Sequence, residues 1–179
     1  MNPCLPAGRL ESLNPQSKMR HFILLLATGF GAGYSPIAPG TLGTLLAIPI
    51  YFFFSEISFP LYQLTLLTFF FLSCWISGQA QQYFGKTDDQ RIVIDEMMGF
   101  FITMLWVTKT PFFILVGFIL FRFFDILKPF PIRRFEKVRG GFGVVLDDVM
   151  AGVYANIILH LIKFLPLTFS LSPGGRGAG

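Results

Sequence analysis

Five of the ten acidic residues lie inside apolar stretches of this sequence, as two adjacent pairs and one single residue. The surrounding segments read IVIDEMMGFF, FILFRFFDILKPF and VVLDDVMAGVYANIIL. A carboxylate within an apolar segment is costly, so it normally faces the protein interior and belongs to a site. These acids are therefore the candidate catalytic residues: Asp95, Glu96, Asp125, Asp147 and Asp148.

Two basic residues accompany these acids. Arg122 and Lys128 flank Asp125, which leaves a local formal charge of −3. Such a surplus requires cations, and ligands that are all oxygen favour Mg²⁺, Mn²⁺ or Ca²⁺. At a spacing of i, i+3 and i+6 the three residues would share one slowly drifting helix face. A simple intrahelical salt bridge, a set of buried ion pairs and an ion pathway are the alternatives.

Adjacent acids point in different directions on a helix, by about 100°. We therefore expect one member of each pair to face a shared site. The other would ligate from the side, support the first, or cap the start of its helix.

The composition is that of a membrane protein. Of 179 residues, 53% are hydrophobic and only 13% are charged, which is too apolar for an ordinary soluble domain. Several apolar stretches approach the roughly 20 residues that cross a bilayer. The sequence predicts an all-α, polytopic membrane bundle with a re-entrant or interfacial, Gly/Pro-rich N-terminal segment.

Lysine and arginine concentrate in residues 1–20, around 86–91 and in 128–141, which the positive-inside rule places in the cytoplasm. The acid clusters then share one depth, just inside the cytoplasmic interface. That position suits chemistry on a lipid headgroup better than an ion path. The predicted spans lie near 41–56, 59–82, 92–107, 111–127 and 147–168. The predicted divisions are a polar cytoplasmic tail (1–20), a membrane domain (21–168) and a disordered tail (169–179).

Residues 29–44, GFGAGYSPIAPGTLGT, are rich in glycine and proline. Glycines there allow backbone N–H groups to turn toward an anion, and Thr41 is expected to cap the following helix. A membrane re-entry turn, with glycines for packing, is an equally good interpretation. The segments RIVIDEMMGFF and GVVLDDVMAGV look alike, as two opposed half-sites or by chance. Their small residues Gly99, Ala151 and Gly152 permit close helix approach.

Several enzyme classes lack their signatures. Cys74 has no arginine five residues later, His21 and His160 have no acid nearby in sequence, and no serine stands in a nucleophile elbow. The two histidines are expected to be interfacial or packed residues. Carboxylates, one arginine, one lysine and a metal remain as the chemistry.

GFGAGYSPIAPGTLGT, VIDEMMG, FRFFDILKPFPI and GGFGVVLDDVMAG, in this order and spacing, resemble the motifs of the phosphatidylglycerophosphatase A family over residues 22–160. The resemblance implies a magnesium-dependent lipid phosphatase of the bacterial inner membrane, multi-pass and with its site on the cytoplasmic side. Its substrate would be phosphatidylglycerophosphate, its products phosphatidylglycerol and phosphate, and no nucleic acid would be involved.

By motif position, the resemblance makes all five acids active-site residues. The metal ligands would be Asp95, Glu96, Asp147 and Asp148, and Arg122 and Lys128 would bind the substrate phosphate. The glycine-rich segment adds Gly40 and Thr41 as further candidates for binding that phosphate. One Mg²⁺ would bring the local charge to −1 and two would bring it to +1, and the second case is favoured for a dianionic ester. Metal-activated water is favoured over an aspartyl-phosphate, since no D-x-D-x-T stretch occurs.

Two other function classes remain as alternatives. An ion- or proton-coupled transporter could use the same carboxylates. A transferase of phospholipid synthesis is a weaker alternative, because the acid pattern of the CDP-alcohol enzymes is absent.

Overall fold

The structure is a computed structural model that describes residues 15–87, 89–130, 132–135, 138 and 140–164. Within those ranges it is helical and contains no strand, which confirms the all-α prediction. The helices are α1 (Pro15–Ala27), α2 (Pro39–Phe54), α3 (Phe59–Phe84), α4 (Ile94–Thr103), α5 (Pro111–Leu127), α6 (Ile132–Phe135) and α7 (Gly141–Phe164), with a 3-10 turn at Ala32–Tyr34.

Parts of the predicted organisation lie outside the described residues. These are residues 1–14 of the predicted polar tail, residues 165–168 of the last predicted span, the predicted disordered tail 169–179, and Lys137 and Arg139 of the basic stretch. Residues 15–20, the remainder of the predicted polar tail, form the start of α1.

Helix α4 lies at the centre of the helical assembly. It contacts α2, α3, α5 and α7, and eight of its ten residues are buried. Phe100 of α4 and Phe121 of α5 are among the largest fully buried side chains. Burying a phenylalanine contributes about 1.5–3 kcal/mol, so these contacts hold the short helix in place.

Helices α4 and α7 meet at two glycines. A Cβ on Gly152 would overlap the carbonyl oxygen of Gly99, and a Cβ on Gly99 would lie 2.8 Å from the carbonyl oxygen of Asp148. The backbones therefore touch directly, as the small residues of the two similar segments predicted. This contact brings the acid-bearing turns of both helices together.

Two helices are long and apolar enough to cross a membrane. They are α3, with 26 residues, and α7, with 24. At 1.5 Å per residue they measure about 39 and 36 Å, against roughly 30 Å of hydrocarbon. Helix α2 is apolar but has only 16 residues.

The predicted span 92–107 is helical only over its central ten residues, Ile94–Thr103, or about 15 Å. Side chains of α7 satisfy the backbone where α4 ends. Asn156 Nδ2 donates to the carbonyls of Thr103 (2.9 Å) and Leu105 (2.8 Å), and His160 Nε2 lies 3.1 Å from the latter oxygen. These contacts replace the next helical turn. His160 is thus a packed residue, as expected.

Two predicted helix starts are wrong. Helix α7 begins at Gly141, so Asp147 and Asp148 lie in its second turn and neither caps it. Helix α2 begins at Pro39, whose fixed φ suits the first helical turn. Ala38 occupies the N-cap position with φ +46°, so Thr41 lies inside the helix and does not cap it.

Candidate active site

A polar cavity of about 500 Å³ lies where α2, α4 and α7 begin and α5 ends. Of the predicted residues it is lined by Gly40, Asp95, Glu96, Arg122, Asp125, Lys128, Asp147 and Asp148. Thr41 is not among the described residues that line it. The convergence of acids up to 53 residues apart in sequence is therefore present in the fold.

Three of the acids form a compact group. Asp95, Glu96 and Asp148 each offer a carboxylate oxygen, and these three oxygens lie within 4.8 Å of one another. Asp95 and Asp148 are buried, and Glu96 Oε2 is buried without a hydrogen-bond partner in the described chain. In the part of the chain that the structure describes, no lysine or arginine forms a salt bridge with any of the three.

The other two acids contact the two basic residues. Arg122 Nη1 lies 2.7 Å from Asp125 Oδ2, one turn along α5. Lys128 Nζ lies 2.8 Å from Asp147 Oδ2, across the cavity on α7. Helix α5 ends at Leu127, and Lys128 takes φ +44° at its C-terminus, so its backbone leaves the helix there. Arg122 therefore pairs with an acid of its own helix, whereas Lys128 pairs with an acid of α7. The three residues do not form one row of contacts along α5.

The two acid pairs differ in how many of their members join the compact group. Asp95 and Glu96 both join the compact group, whereas Asp148 joins it and its neighbour Asp147 accepts a hydrogen bond from Lys128. Asp147, which the sequence placed among the metal ligands, lies outside the group. In both pairs, the first aspartate accepts from the next backbone N–H, at 3.1 and 3.2 Å. The two similar segments thus have similar local geometry.

The compact group fits a hard divalent cation. Three carboxylates at this distance repel one another strongly in a buried site unless a cation neutralises them. Their ligand atoms are all oxygen, as Mg²⁺, Mn²⁺ and Ca²⁺ prefer. Glu96 Oε2, buried and without a hydrogen-bond partner in the described chain, is a further available ligand atom.

Arg122 keeps donors for an anion beside this group. Its side chain is 16% exposed, and Nε and Nη1 are buried without a hydrogen-bond partner among the described residues. The 2.7 Å contact of Nη1 with Asp125 thus has the distance of an ion pair without hydrogen-bond geometry. A planar guanidinium with open N–H groups is suited to phosphate oxygens.

The start of α2 packs directly on these groups. A Cβ at Gly40 would overlap Glu96 Oε1 and lie 3.0 Å from Arg122 Nη1, so only glycine leaves this space open. Of the five glycines in residues 29–44, Gly40 alone lines the cavity among the described residues. The phosphate-binding role of Gly40 stays a prediction, and Thr41 is not among the described residues that line the cavity.

Sequence reasoning missed the polar turn before α4. Asp89 and Gln90 line the cavity. Arg91 donates to both oxygens of Asp89, from Nε and Nη2 at 2.7 Å each. Those hydrogen bonds hold the pKa of Asp89 below its usual range. The Asp-x-Arg spacing in a polar turn was the available signal, and its position outside the apolar stretches hid it.

The comparisons with known proteins agree on one family. The family model described as phosphatidylglycerophosphatase A matches residues 25–163. A phosphatidylglycerophosphatase A of Escherichia coli is 39% identical over 87% of this chain and 87% of its own length. One of Haemophilus influenzae is 38% identical over 89% of this chain and 95% of its own.

A third relative carries a different name. A putative phosphatidylinositol-3-phosphatase of Bacteroides thetaiotaomicron is 39% identical over 79% of this chain and 94% of its own length. No solved structure matches the chain. All three relatives are named as phosphatases, which confirms the prediction of an enzyme of this class and gives the transporter no support. The chain belongs to the phosphatidylglycerophosphatase A family.

Proposed function

We propose that this chain hydrolyses the terminal phosphomonoester of phosphatidylglycerophosphate to phosphatidylglycerol and inorganic phosphate. The reaction requires Mg²⁺ and takes place at the cytoplasmic face of the inner membrane. The family membership supports the reaction. The observation that carries the proposal is the cavity in which Asp95, Glu96 and Asp148 converge beside the open nitrogens of Arg122.

The surface supports a polytopic membrane location. Thirty large apolar side chains of the described residues are exposed, and most of them lie on α1, α2, α3, α5 and α7. Soluble monomers rarely expose apolar surface on this scale. Helices α3 and α7 are long enough to cross, and the others need flanking residues, tilt or a partial insertion. The proposed re-entrant or interfacial segment is residues 22–34, which form the second half of α1 and the turn that follows it.

Each part of the cavity has a separate task in this proposal. Arg122 binds the oxygens of the terminal phosphate, and Gly40 leaves room for the group beside Glu96. Asp125 orients Arg122, and Lys128 is held by Asp147 at the opposite wall. Mg²⁺ bound by Asp95, Glu96 and Asp148 would neutralise charge on the acids and the phosphate and polarise its oxygens. Water supplies the new oxygen on phosphorus as the bond to the glycerol oxygen breaks.

The substrate assignment rests on the relatives and the charge of the site. Among the described residues, six carboxylates and two cationic side chains line the cavity, and Arg91 neutralises one of these carboxylates from outside. A site this negative accepts a dianionic ester only with divalent cations present. Most of the rate enhancement then comes from positioning and charge neutralisation.

Phosphate release by the purified protein tests the proposal. In mixed micelles with Mg²⁺, we expect phosphate from phosphatidylglycerophosphate, none in excess chelator, and recovery when Mg²⁺ is restored. Phosphatidylinositol 3-phosphate is the competing substrate, because one relative bears that name. Asp148→Asn should lose most activity, and Glu56→Gln, an exposed acid far from the cavity, should lose none.

Three outcomes would contradict the proposal. Full activity in excess chelator would show that the reaction does not require Mg²⁺. A higher kcat/KM for phosphatidylinositol 3-phosphate than for phosphatidylglycerophosphate would show that the substrate assignment is wrong. Ion flux in proteoliposomes, without phosphate release from any lipid, would favour the transporter.

A further inference from the structure

The residues that line the cavity differ in polarity. Asp89 and the exposed Gln90 are polar. Ile126, at the end of α5, lines the cavity and is nevertheless 74% exposed. Ile37, 79% exposed, lies between the lining residues Pro36 and Ala38. A molecule in the cavity can thus leave it over apolar as well as polar side chains.

Helix α5 carries an exposed apolar stripe that ends at the cavity. Its members follow each other at intervals of three or four residues, so they share one helix face: Phe112, Leu115, Ile119, Phe123 and Ile126. The stripe spans 14 residue steps, or about 21 Å, which exceeds the roughly 15 Å depth of one leaflet. It is long enough to accompany an acyl chain from the headgroup region to mid-membrane.

The anion-binding group and the stripe are neighbours on the same helix. Arg122 and Ile126 are one turn apart, and both line the cavity. The neighbouring helix α2 repeats this arrangement, with Gly40 in the cavity and exposed Leu42 and Leu45 beyond it. An amphiphile with a phosphate at Arg122 would therefore have its apolar part beside the α5 stripe.

We infer that the α5 stripe is the acyl-chain site for a diacyl phospholipid bearing a terminal phosphomonoester. Ile126 lies at the boundary between the acyl chains and the headgroup of the bound lipid. Its contact with the acyl chains favours lipid esters over soluble phosphate esters. This inference rests on the proposed function for the identity of the headgroup. Other exposed apolar surfaces, such as that of α3, contact bulk lipid only.

Photocrosslinking tests the site without requiring hydrolysis. A photoreactive phenylalanine analogue replaces Phe123 (53% exposed, α5) or Phe71 (55% exposed, α3), which are matched in exposure and residue type. The vesicles are phosphatidylcholine with Mg²⁺ and a trace of a labelled diacyl phosphonate analogue, whose carbon–phosphorus bond resists hydrolysis. We expect capture at position 123 to exceed the analogue's mole fraction by about tenfold, in line with ordinary specific binding energies. Capture at position 71 should follow the mole fraction.

Equal capture at the two positions would overturn the inference, because the α5 stripe would then be ordinary lipid-facing surface. Capture at position 123 that unlabelled diacyl phosphonate does not compete away would overturn it too. If position 123 captures the analogue and no lipid phosphate is hydrolysed, the acyl-chain site stands and the proposed reaction fails. If the lipid phosphate is hydrolysed and the two positions capture the analogue equally, the proposed reaction stands and the acyl-chain site fails.

Selectivity for a lipid ester provides a second, kinetic test. The measured quantity is the ratio of kcat/KM for dioleoyl phosphatidylglycerophosphate to kcat/KM for glycerol 3-phosphate, which has no acyl chain. Ile126→Asn should lower this ratio by about tenfold or more, since asparagine loses the apolar contact that isoleucine would make with an acyl chain. Leu67→Asn, at an exposed leucine of α3, should leave the ratio at the wild-type value. An unchanged ratio in Ile126→Asn would remove this residue's selective role.

Discussion

Arg122 can take part in an ion pair and bind an anion at the same time, because it contacts an acid and still has N–H groups to donate. Its Nη1 lies 2.7 Å from Asp125 Oδ2, while Nε and Nη1 lack hydrogen-bond partners in the described chain. Asp125 thus orients the guanidinium without occupying its donors. An anion that enters beside Glu96 would complete the donors of Arg122.

Replacing Arg122 by lysine tests this geometry at constant charge. Lysine is a point charge and lacks the planar fork that contacts two phosphate oxygens. We expect Arg122→Lys to lower kcat/KM by about tenfold to a hundredfold, because a charge-assisted hydrogen bond contributes roughly 1.5–3 kcal/mol. Arg20→Lys, on the exposed surface of α1, is the matched control and should retain wild-type kinetics. A wild-type rate in Arg122→Lys would exclude a two-oxygen contact.

Asp147 and Asp148 are adjacent but should differ in their effect on metal dependence. Asp148 belongs to the compact acid group, and Asp147 accepts from Lys128 at 2.8 Å. Asp148→Asn should raise the Mg²⁺ concentration for half-maximal activity by about tenfold or more, as expected on losing a metal ligand. Asp147→Asn should lower kcat with the half-maximal Mg²⁺ concentration within about twofold of wild type. Equal shifts in both variants would make Asp147 a metal ligand after all.

At the scale of helices, the crossing of α4 and α7 determines whether the acid group exists. The backbones touch at Gly99 and Gly152, about one turn beyond the acid pairs of their helices. A displacement at this crossing would separate Asp148 from Asp95 and Glu96. The geometry of the site therefore depends on packing that carries no charge.

Gly152→Ala tests this crossing. The added Cβ would overlap the carbonyl oxygen of Gly99, which is backbone and cannot rotate away. Overpacking of this kind costs about 1–3 kcal/mol, so both the midpoint of thermal unfolding and the activity should fall. The control is Gly78→Ala on α3, whose Cβ would lie 3.4 Å from the backbone nitrogen of Gly141, an ordinary contact. A wild-type Gly152→Ala enzyme would show that the helices can separate without harm.

The turn before α4 should respond to pH through Asp89. Arg91 bonds both carboxylate oxygens, and its guanidinium lies 3.8 Å from the ring centroid of Phe84 at the end of α3. The pKa of Asp89 is lowered in the folded state, so its stabilisation is present above the ordinary aspartate pKa of about 3.9. It is lost as the pH falls through the lower, folded-state pKa.

Asp89→Asn should therefore unfold at a lower temperature than wild type at pH 7, measured in detergent micelles. The difference should persist to about pH 5 and shrink below about pH 4, since protonation removes the same charge from the wild type. Glu56→Gln removes an acid from an exposed pair with Lys109 and should show little difference at either pH. A difference that grows on acidification would contradict the assigned direction of the pKa.

The amino-acid sequence identifies the acids of the site, but it does not show which acid contacts which basic residue. Carboxylates in apolar segments are costly wherever they occur, so Asp95 and Asp148 could be identified without a structure. Whether Lys128 contacts Asp125 or Asp147 depends on the residue at which α5 ends and on its left-handed conformation. Sequence spacing along one helix contains no information on that contact.

Helix bounds followed a similar rule. Hydropathy locates an apolar segment but does not show where its helix ends. The predicted span 92–107 contains a helix of ten residues because Asn156 and His160 of another helix bond the carbonyls beyond it. The early start of α7 at Gly141 was equally hidden, since glycines there read as a loop.

Across the whole molecule, the cavity and the aromatic pair Trp106–Phe59 lie towards opposite ends of α4. The cavity lies at one end, at the start of α4 and α7 and the end of α5. The exposed Trp106, which stacks on Phe59, lies beyond the other end of α4, near the contact of Lys109 with Glu56. Tryptophan is enriched at membrane–water interfaces. We therefore expect the two ends to lie at opposite membrane surfaces, with the cavity at the cytoplasmic surface.

Single cysteines test this orientation. In a background with Cys4 and Cys74 replaced by serine, Ile57→Cys lies in the link between α2 and α3, and Val138→Cys lies in the basic stretch 128–141. By the positive-inside rule, a membrane-impermeant maleimide should label position 57 in intact cells and position 138 only after the cells are opened. Opening the cells also provides the control, since both positions must then react.

Labelling of both positions from the same side would contradict the topology, because the cavity and the Trp106 end would then share one surface. Labelling with the sides reversed would keep the two-ended arrangement and move the cavity to the outer surface. A substrate made in the cytoplasmic leaflet could not then reach Arg122 without crossing the bilayer. The side of the membrane at which Asp95, Glu96 and Asp148 lie is predicted from the charges of the loops. The labelling experiment measures that side directly.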